Sequence, residues 1–425
     1  NPLIYPPDWP LALVQKVVPL PDMTWLLIYY FLGGLFFFLL AREWGARPEG
    51  SLIAAVAFIF APNLVAVGSH GHGSQLVDSA YLPLLLWLAT RWLRQGSLAD
   101  LGWLAMAGGF QILRGHVQIC FYTWLAVGLL AGLDLLFALR KPTELRSRVL
   151  RVAGIGAAAA LAFGVAGFYT LPLRDYAAWS IRGGSAGGGV GMDYATAWSL
   201  ALHELPTIVI PGWAGFGGET YWGGMPFTDY PNAFLGIVAV LLALPAFLRP
   251  GAASRPVRLF ALTLAALSLF IAFGKNSPLY GFLYAHLPLF NKFRVPVMVL
   301  LLFQLAAGLA LAWGWSAVLE LGGERAAKPA KGGSTKAPLW RFFMIAAALL
   351  LAGLLAAAAN VLREGYVALA MSSHTNYPAE LAAIAYRNFS GDLARACLLG
   401  LAALAVAWLA LRRTLNPAVA SAFIC

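Results

Sequence analysis

The chain has 425 residues, of which 60% are hydrophobic and only 11% charged, against about 25% charged in an ordinary soluble domain. No soluble core of this size could hide that much apolar surface, so part of the solvent must be lipid. The net charge of +11 does not point to nucleic acid, because the basic residues are scattered between apolar runs and form no patch.

A membrane-crossing helix needs roughly 20 apolar residues, within about 17–25. Taken in chain order, such runs fall at 23–41, 51–67, 77–93, 101–113, 117–139, 149–171, 232–248, 258–273, 296–318, 342–359 and 393–411. The fourth is short, and its break at Arg114-Gly115-His116 reads as a kink or a re-entrant turn. A twelfth span is expected to begin after Asn416-Pro417. The predicted fold class is all-α, a polytopic transmembrane helical bundle of about eleven spans.

The distribution of Lys and Arg sets an orientation. Alternate connections carry 19 of them, including Arg42, Arg94, Arg140, Arg148, Arg255, Arg258, Arg341 and Arg412. The other connections carry 9, among them Arg114, Lys275, Lys292 and Arg294, and Arg395 completes the 29. The positive-inside rule places the first set in the cytoplasm. His70, His72, His116, His203, His286 and His374 then all fall outside, with 11 of the 18 acidic residues. Asn1 starts outside, so a further helix and part of the first outer loop are expected upstream of it.

The expected divisions are an outer-loop remainder at 1–22, a first helix group at 23–171 and a large outer loop at 172–231. A second helix group at 232–318, a flexible cytoplasmic linker at 319–341 and C-terminal helices at 342–425 follow. The linker and the other cytoplasmic loops are expected to carry no site. The outer loop holds a Gly run at 183–191, which predicts a mobile stretch. The three cysteines form no CxxC pair, so neither a disulfide framework nor a zinc knuckle is indicated.

Four outer segments could carry chemistry. Ser-His-Gly-His-Gly-Ser-Gln-Leu-Val-Asp at 69–78 brings His70, His72 and Asp78 to one membrane edge. Leu-Arg-Gly-His-Val-Gln at 113–118 adds Arg114, His116 and Gln118 at the next outer turn. If the two turns adjoin, Arg114 could hold a phosphate, the His and Asp residues a metal, or a His a proton. The plainer reading is that they cap helix ends. The segment 203–232 mixes Glu204, Glu219 and Asp229 with Tyr221, Trp222 and glycines. Sugars stack on aromatic faces while carboxylates accept their hydroxyls; packed interfacial aromatics are the alternative. Lys292 and Arg294 lie outside against the general rule, where a lipid phosphate would sit, or where two cations simply snorkel. No Walker A or HExxH pattern occurs.

Tyr-Pro-Pro at 5–7, Leu-Ala-Arg-Glu-Trp-Gly after the first span, the His-Gly turn followed by Tyr-Leu-Pro-Leu-Leu-Leu-Trp, and Gly-His-Val-Gln-Ile-Cys-Phe-Tyr come in that order. His-Glu-Leu-Pro-Thr-Ile-Val-Ile-Pro with Tyr-Trp-Gly-Gly-Met-Pro-Phe-Thr, and Leu-Pro-Leu-Phe-Asn-Lys-Phe-Arg-Val-Pro, follow. In this the chain resembles the YfhO family of bacterial membrane proteins, placed among GT-C-type glycosyltransferases. The resemblance implies a multi-pass protein of the bacterial inner membrane. It implies transfer of a sugar from a polyprenyl-phosphate-linked donor to a cell-envelope acceptor on the outer face, with membrane lipid as surroundings. The catalytic carboxylate of such enzymes usually lies in the first outer loop, so the resemblance places it upstream of Asn1, with Asp8 a poor stand-in. His70, His72, Asp78 and His116 remain candidate catalytic residues. Arg114, Gln118, Glu204, Glu219, Tyr221, Trp222, Lys292 and Arg294 are candidates for substrate binding. No residue is assigned as a metal ligand, although a divalent metal stays open as a cofactor. The competing readings are a transporter or flippase of an envelope lipid or polysaccharide, and a non-catalytic assembly subunit.

Overall fold

The structure, a computed structural model, describes residues 5–177, 179, 191–215, 217–249, 253–323, 337–373 and 377–425. Among them there are helices and no strands. We label the main helices α1 (Thr24–Glu43), α2 (Pro48–Ile59), α3 (Pro62–Ser69), α4 (Gly73–Gln95), α5 (Leu98–Arg114), α6 (Val117–Ala138) and α7 (Pro142–Val165). They continue with α8 (Ile237–Ala243), α9 (Arg255–Ala272), α10 (Leu300–Gly323), α11 (Ala337–Ala358), α12 (Arg363–Ser373), α13 (Ala379–Leu411) and α14 (Pro417–Ile424).

Seven described helices are long and apolar enough to cross a membrane, or eight if the bent pair α2–α3 is one span. The expected elements at 77–93, 101–113 and 232–248 are helical but fall outside that set. Helix α4 carries Asp78, Arg91 and Arg94, α5 has only 17 residues, and α8 is interrupted before a second short helix, Pro245–Leu248. The break foreseen at 114–116 is an ordinary helix–helix turn, in which Gly115, at φ +90°, ends α5 and His116 caps α6. The bend lies instead between α2 and α3, at 44°. Pro62 opens α3 there, and its missing N–H cannot continue the hydrogen-bond ladder of α2.

Helix α10 is the axis of the bundle. Its sequence is apolar on every side, with Gln304, Ser316 and Glu320 as the polar exceptions, and a helix of that kind must be surrounded. Its most apolar stretch is 89% buried, against α2, α8, α9 and α13. Small residues let the backbones approach, as in membrane helix pairs generally. A Cβ on Gly314 would stand 1.9 Å from the Leu242 carbonyl oxygen, and one on Gly322 2.5 Å from that of Ala410. Gly314→Ala is therefore expected to destabilise the protein by about 1–3 kcal/mol through overpacking, although alanine is the better helix former. Gly156→Ala, with nothing within 4 Å of the added Cβ, should be neutral or stabilising in the same detergent melts. Equal melting points for the two variants would refute the tight crossing.

Contacts between the connections sort into two ends. At the histidine-bearing end Asp8 meets Arg114, His70 meets Asp229, Gln118 meets Arg294, and Gly212 meets Asp392. At the arginine-bearing end Arg94 pairs with Glu43, Arg148 with Asp134 and Arg249 with Glu320. Helix α13 has 33 residues, about 50 Å at 1.5 Å per residue, against a hydrocarbon thickness of about 30 Å. Its first turns therefore project beyond the expected span at 393–411. They pack with α12 and the segment 211–222 into a second, separate aromatic core. The linker residues 324–336, the Gly run to residue 190 and His374 lie outside the described residues.

Candidate functional site

The prolines of Tyr5-Pro6-Pro7-Asp8 fix their backbone φ angles, and Pro6–Asp8 forms a single 3-10 turn closed by the Asp8 N–H on the Tyr5 carbonyl (3.1 Å). That turn projects two side chains onto α1, α4 and α5. The Tyr29 hydroxyl donates to Asp8 Oδ1 at 2.8 Å, and Arg114 Nη1 lies 3.3 Å from Asp8 Oδ2. The Tyr5 hydroxyl meets that of Tyr81 at 2.6 Å. Burial, followed by the neighbouring Tyr81 and Tyr29, pushes the Tyr5 phenol far above its ordinary range, so it remains neutral.

Arg114 ends α5, where a cation suits the helix dipole. Its guanidinium lies 5.3 Å from the Tyr5 ring and 5.4 Å from the Trp25 ring, so two aromatic faces fix its position. Its Nε is buried without a partner. One buried hydrogen-bond donor of this arginine is thus left over.

Beside this group lies a cavity of about 430 Å³. Ile28, Leu32, Phe36, Leu84, Trp103 and Phe110 make its apolar walls, and Asp8, Tyr29 and Tyr81 are its polar lining. Trp103 is 63% exposed on the outer face of the bundle. The cavity thus opens sideways among apolar surfaces, with a carboxylate at one edge.

The turns 69–78 and 113–118 are joined, but through Asp78. Its Oδ2 accepts the His116 backbone N–H at 2.8 Å and the Cys120 thiol at 3.6 Å. Gln111 Nε2 donates to the Asp78 carbonyl (3.0 Å) and to the Thr123 hydroxyl (2.8 Å). Asp78 is completely buried, with Oδ1 unpartnered; it ties α4 to α6 and does not line the cavity. His116 Nδ1 accepts the Ile119 N–H as the cap of α6. His70 Nδ1 donates to the Ala66 carbonyl (2.7 Å), and its Nε2 lies 3.6 Å from Asp229. His72 is exposed at the start of α4. None of the three histidines lines the cavity.

Gln118 Nε2 donates to the Arg294 carbonyl at 2.7 Å, which joins this end of the first helix group to the 289–296 segment. Arg294 Nη1 donates to the Tyr194 hydroxyl at 2.6 Å. Among the described residues neither Arg294 nor Lys292 has an acidic partner. Val295 has φ +58°, a conformation that costs a β-branched residue about 1–3 kcal/mol and persists only where its surroundings impose it.

Of the candidates at 203–232, Trp222 belongs to the second core and Tyr221 packs against it. Glu204 is buried and Trp222 fully so, the latter stacked on His203 (5.4 Å) with its Nε1 donating to the Tyr366 hydroxyl at 3.0 Å. Tyr221 donates to Glu204 at 2.5 Å. A sugar has no access to Trp222; Glu219 alone of these four is exposed. Among the described residues no group of three or more His, Cys, Asp or Glu is placed to hold a metal ion.

Sequence reasoning set Asp8 aside and missed Tyr5, Trp25, Tyr29 and Tyr81. The usable signal was the Tyr-Pro-Pro-Asp turn, a rigid backbone that ends in an acid. No protein-family model, curated protein or solved structure matches the chain.

Proposed function

We propose that the chain is a membrane glycosyltransferase that moves a sugar from a polyprenyl-phosphate donor to a cell-envelope acceptor, with its histidine-bearing end on the outer face of the bacterial inner membrane. The observation that carries this reading is the Asp8 carboxylate, which lines the apolar cavity and pairs with Arg114. The polyprenyl chain enters from lipid along Ile28, Leu32 and Phe36, and its phosphate meets Arg114, whose planar fork suits phosphate oxygens. A phosphate bound to Arg114 competes with Asp8 for the guanidinium and so frees the carboxylate. Asp8 then takes the proton of the acceptor hydroxyl. The hydroxyl oxygen bonds to the anomeric carbon, the bond from that carbon to the phosphate oxygen breaks, and its electrons leave on polyprenyl phosphate beside Arg114. Tyr29 holds Asp8 in place through the 2.8 Å bond.

Lys292 and Arg294 supply further positive charge at this end. Arg294→Lys is expected to weaken donor binding about tenfold, because the compact ammonium loses the fork geometry. Unchanged affinity with a lowered melting temperature would make Arg294 a purely structural tie to Tyr194.

The reading as a whole is tested in proteoliposomes supplied with radiolabelled polyprenyl-phosphate sugars and an envelope extract. Acceptor-dependent release of free polyprenyl phosphate is expected. Movement of intact label across the bilayer without bond cleavage would favour a flippase instead.

A further inference from the structure

Most arginines at the opposite end are already engaged. Arg47 pairs with Glu49, Arg91 with Asp100, Arg94 with Glu43, Arg148 with Asp134 and Arg249 with Glu320. Arg151 donates to the Leu93 and Arg94 carbonyls, and Arg413 to the Gly322 carbonyl. The side chains of Arg140, Arg255 and Arg258 make no hydrogen bond or ion pair among the described residues; that of Arg140 only lies 5.9 Å from the Phe137 ring. Yet these three line one cavity of about 320 Å³ between the end of α6 and the start of α9. Its remaining walls are apolar, and Leu136, Phe247, Leu259 and Leu262 are themselves exposed on the surface of the bundle.

We propose that this cavity is a binding site for an anionic phospholipid, with the headgroup phosphate on Arg140, Arg255 and Arg258 and an acyl chain along Leu136, Leu259 and Leu262. Charge complementarity selects the occupant. Three uncompensated guanidinium groups around one hollow repel each other, and a phosphodiester offers oxygens to all three. The apolar floor suits a ligand whose phosphate is joined to hydrocarbon, and basic pockets between helices at a membrane face take lipid headgroups in this way. The site lies at the other end of the bundle from Asp8, and it stands whether or not the chain transfers sugars.

The test is competitive lipid retention by native mass spectrometry on the detergent-purified full chain, with phosphatidylglycerol and phosphatidylcholine of identical acyl chains. Wild type is expected to retain phosphatidylglycerol about tenfold over phosphatidylcholine. The double variant Arg255→Gln/Arg258→Gln should bring the two lipids to near parity, while Arg146→Gln/Arg412→Gln, which removes as much charge at the same end, should leave the preference intact. Should the Gln pair fail to fold, Arg255→Lys/Arg258→Lys keeps the charge and is expected to lose several-fold of the preference. A preference that survives in the Lys pair, or falls equally in the control pair, overturns the proposal. Displacement of the retained lipid by millimolar inorganic phosphate would also overturn it, since the site would then take free phosphate.

Discussion

If the chain transfers sugar as proposed, Asp8→Asn is expected to lower that transfer by a factor of about 10² to 10⁴, the usual cost of removing a general base. The substitution keeps the shape of the side chain and an oxygen for the Tyr29 hydroxyl, and it removes the one carboxylate among the described residues that line the cavity. The structural cost should be small. Asp8 and Arg114 side chains are 19% and 21% exposed, and part-exposed ion pairs contribute about 1 kcal/mol or less. Arg114 keeps its two aromatic faces whether or not Asp8 is charged. Initial rates at matched amounts of folded protein are the measurement, with donor binding followed in parallel. A slow enzyme that still binds donor fits a base. Transfer close to the wild-type rate would remove Asp8 from the chemistry and leave the pair as a tie between the 5–8 turn and α5.

What could be read in the sequence follows from the range of the interactions. Apolar runs report burial in lipid or core wherever they occur, so each expected span contains helix. Helix α13 shows where that signal stops. Residues 393–411 are apolar enough to stand out, whereas Ala379–Asp392 mix Glu380, Arg387 and Asp392 with Tyr386 and Phe389 and resemble a loop by hydropathy. Their helix is held by Trp213, Trp222 and Tyr366, which arrive from elsewhere in the chain. The Asp8–Arg114 pair was out of reach for the same reason. Asp8 and Arg114 are 106 residues apart, and no local pattern announces their pairing. The paired histidines at 70 and 72 looked like ligands because of their spacing, but spacing does not say where the side chains end. At 203–232 the composition was read correctly as aromatic, acidic and Gly-rich, and that composition fits either a sugar-binding face or a packed interior. Burial decides for the interior at Glu204 and Trp222.

The other large effect is expected at Glu204, on stability. Its carboxylate is almost fully buried and accepts three donors: the Ala201 N–H at 2.9 Å and the Gly224 N–H at 3.0 Å on Oε2, and the Tyr221 hydroxyl at 2.5 Å on Oε1. Tyr221 in turn accepts the Met225 N–H at 3.0 Å, so its own proton is committed to Glu204. Burial first, then the Glu204 charge, raise the Tyr221 phenol above its usual range and keep that proton in place. The neighbouring chain is glycine where it passes closest, since a Cβ on Gly223 would stand 2.2 Å from Glu204 Oε1. Glu204→Ala strands all three donors and opens a void beside them. A loss of about 3–5 kcal/mol is expected, the range for breaking a buried charged cluster by removing one partner. Glu204→Gln should cost less, because its amide oxygen can still serve the two backbone groups while only the Tyr221 proton loses its acceptor. Thermal unfolding followed by tryptophan fluorescence reads this directly, as Trp222 belongs to the core that the cluster supports. Transfer activity should fall only in step with the folded fraction. A Glu204→Ala protein that melts like wild type yet loses binding of the sugar donor or acceptor would return Glu204 to the substrate site and refute its role as an internal tie.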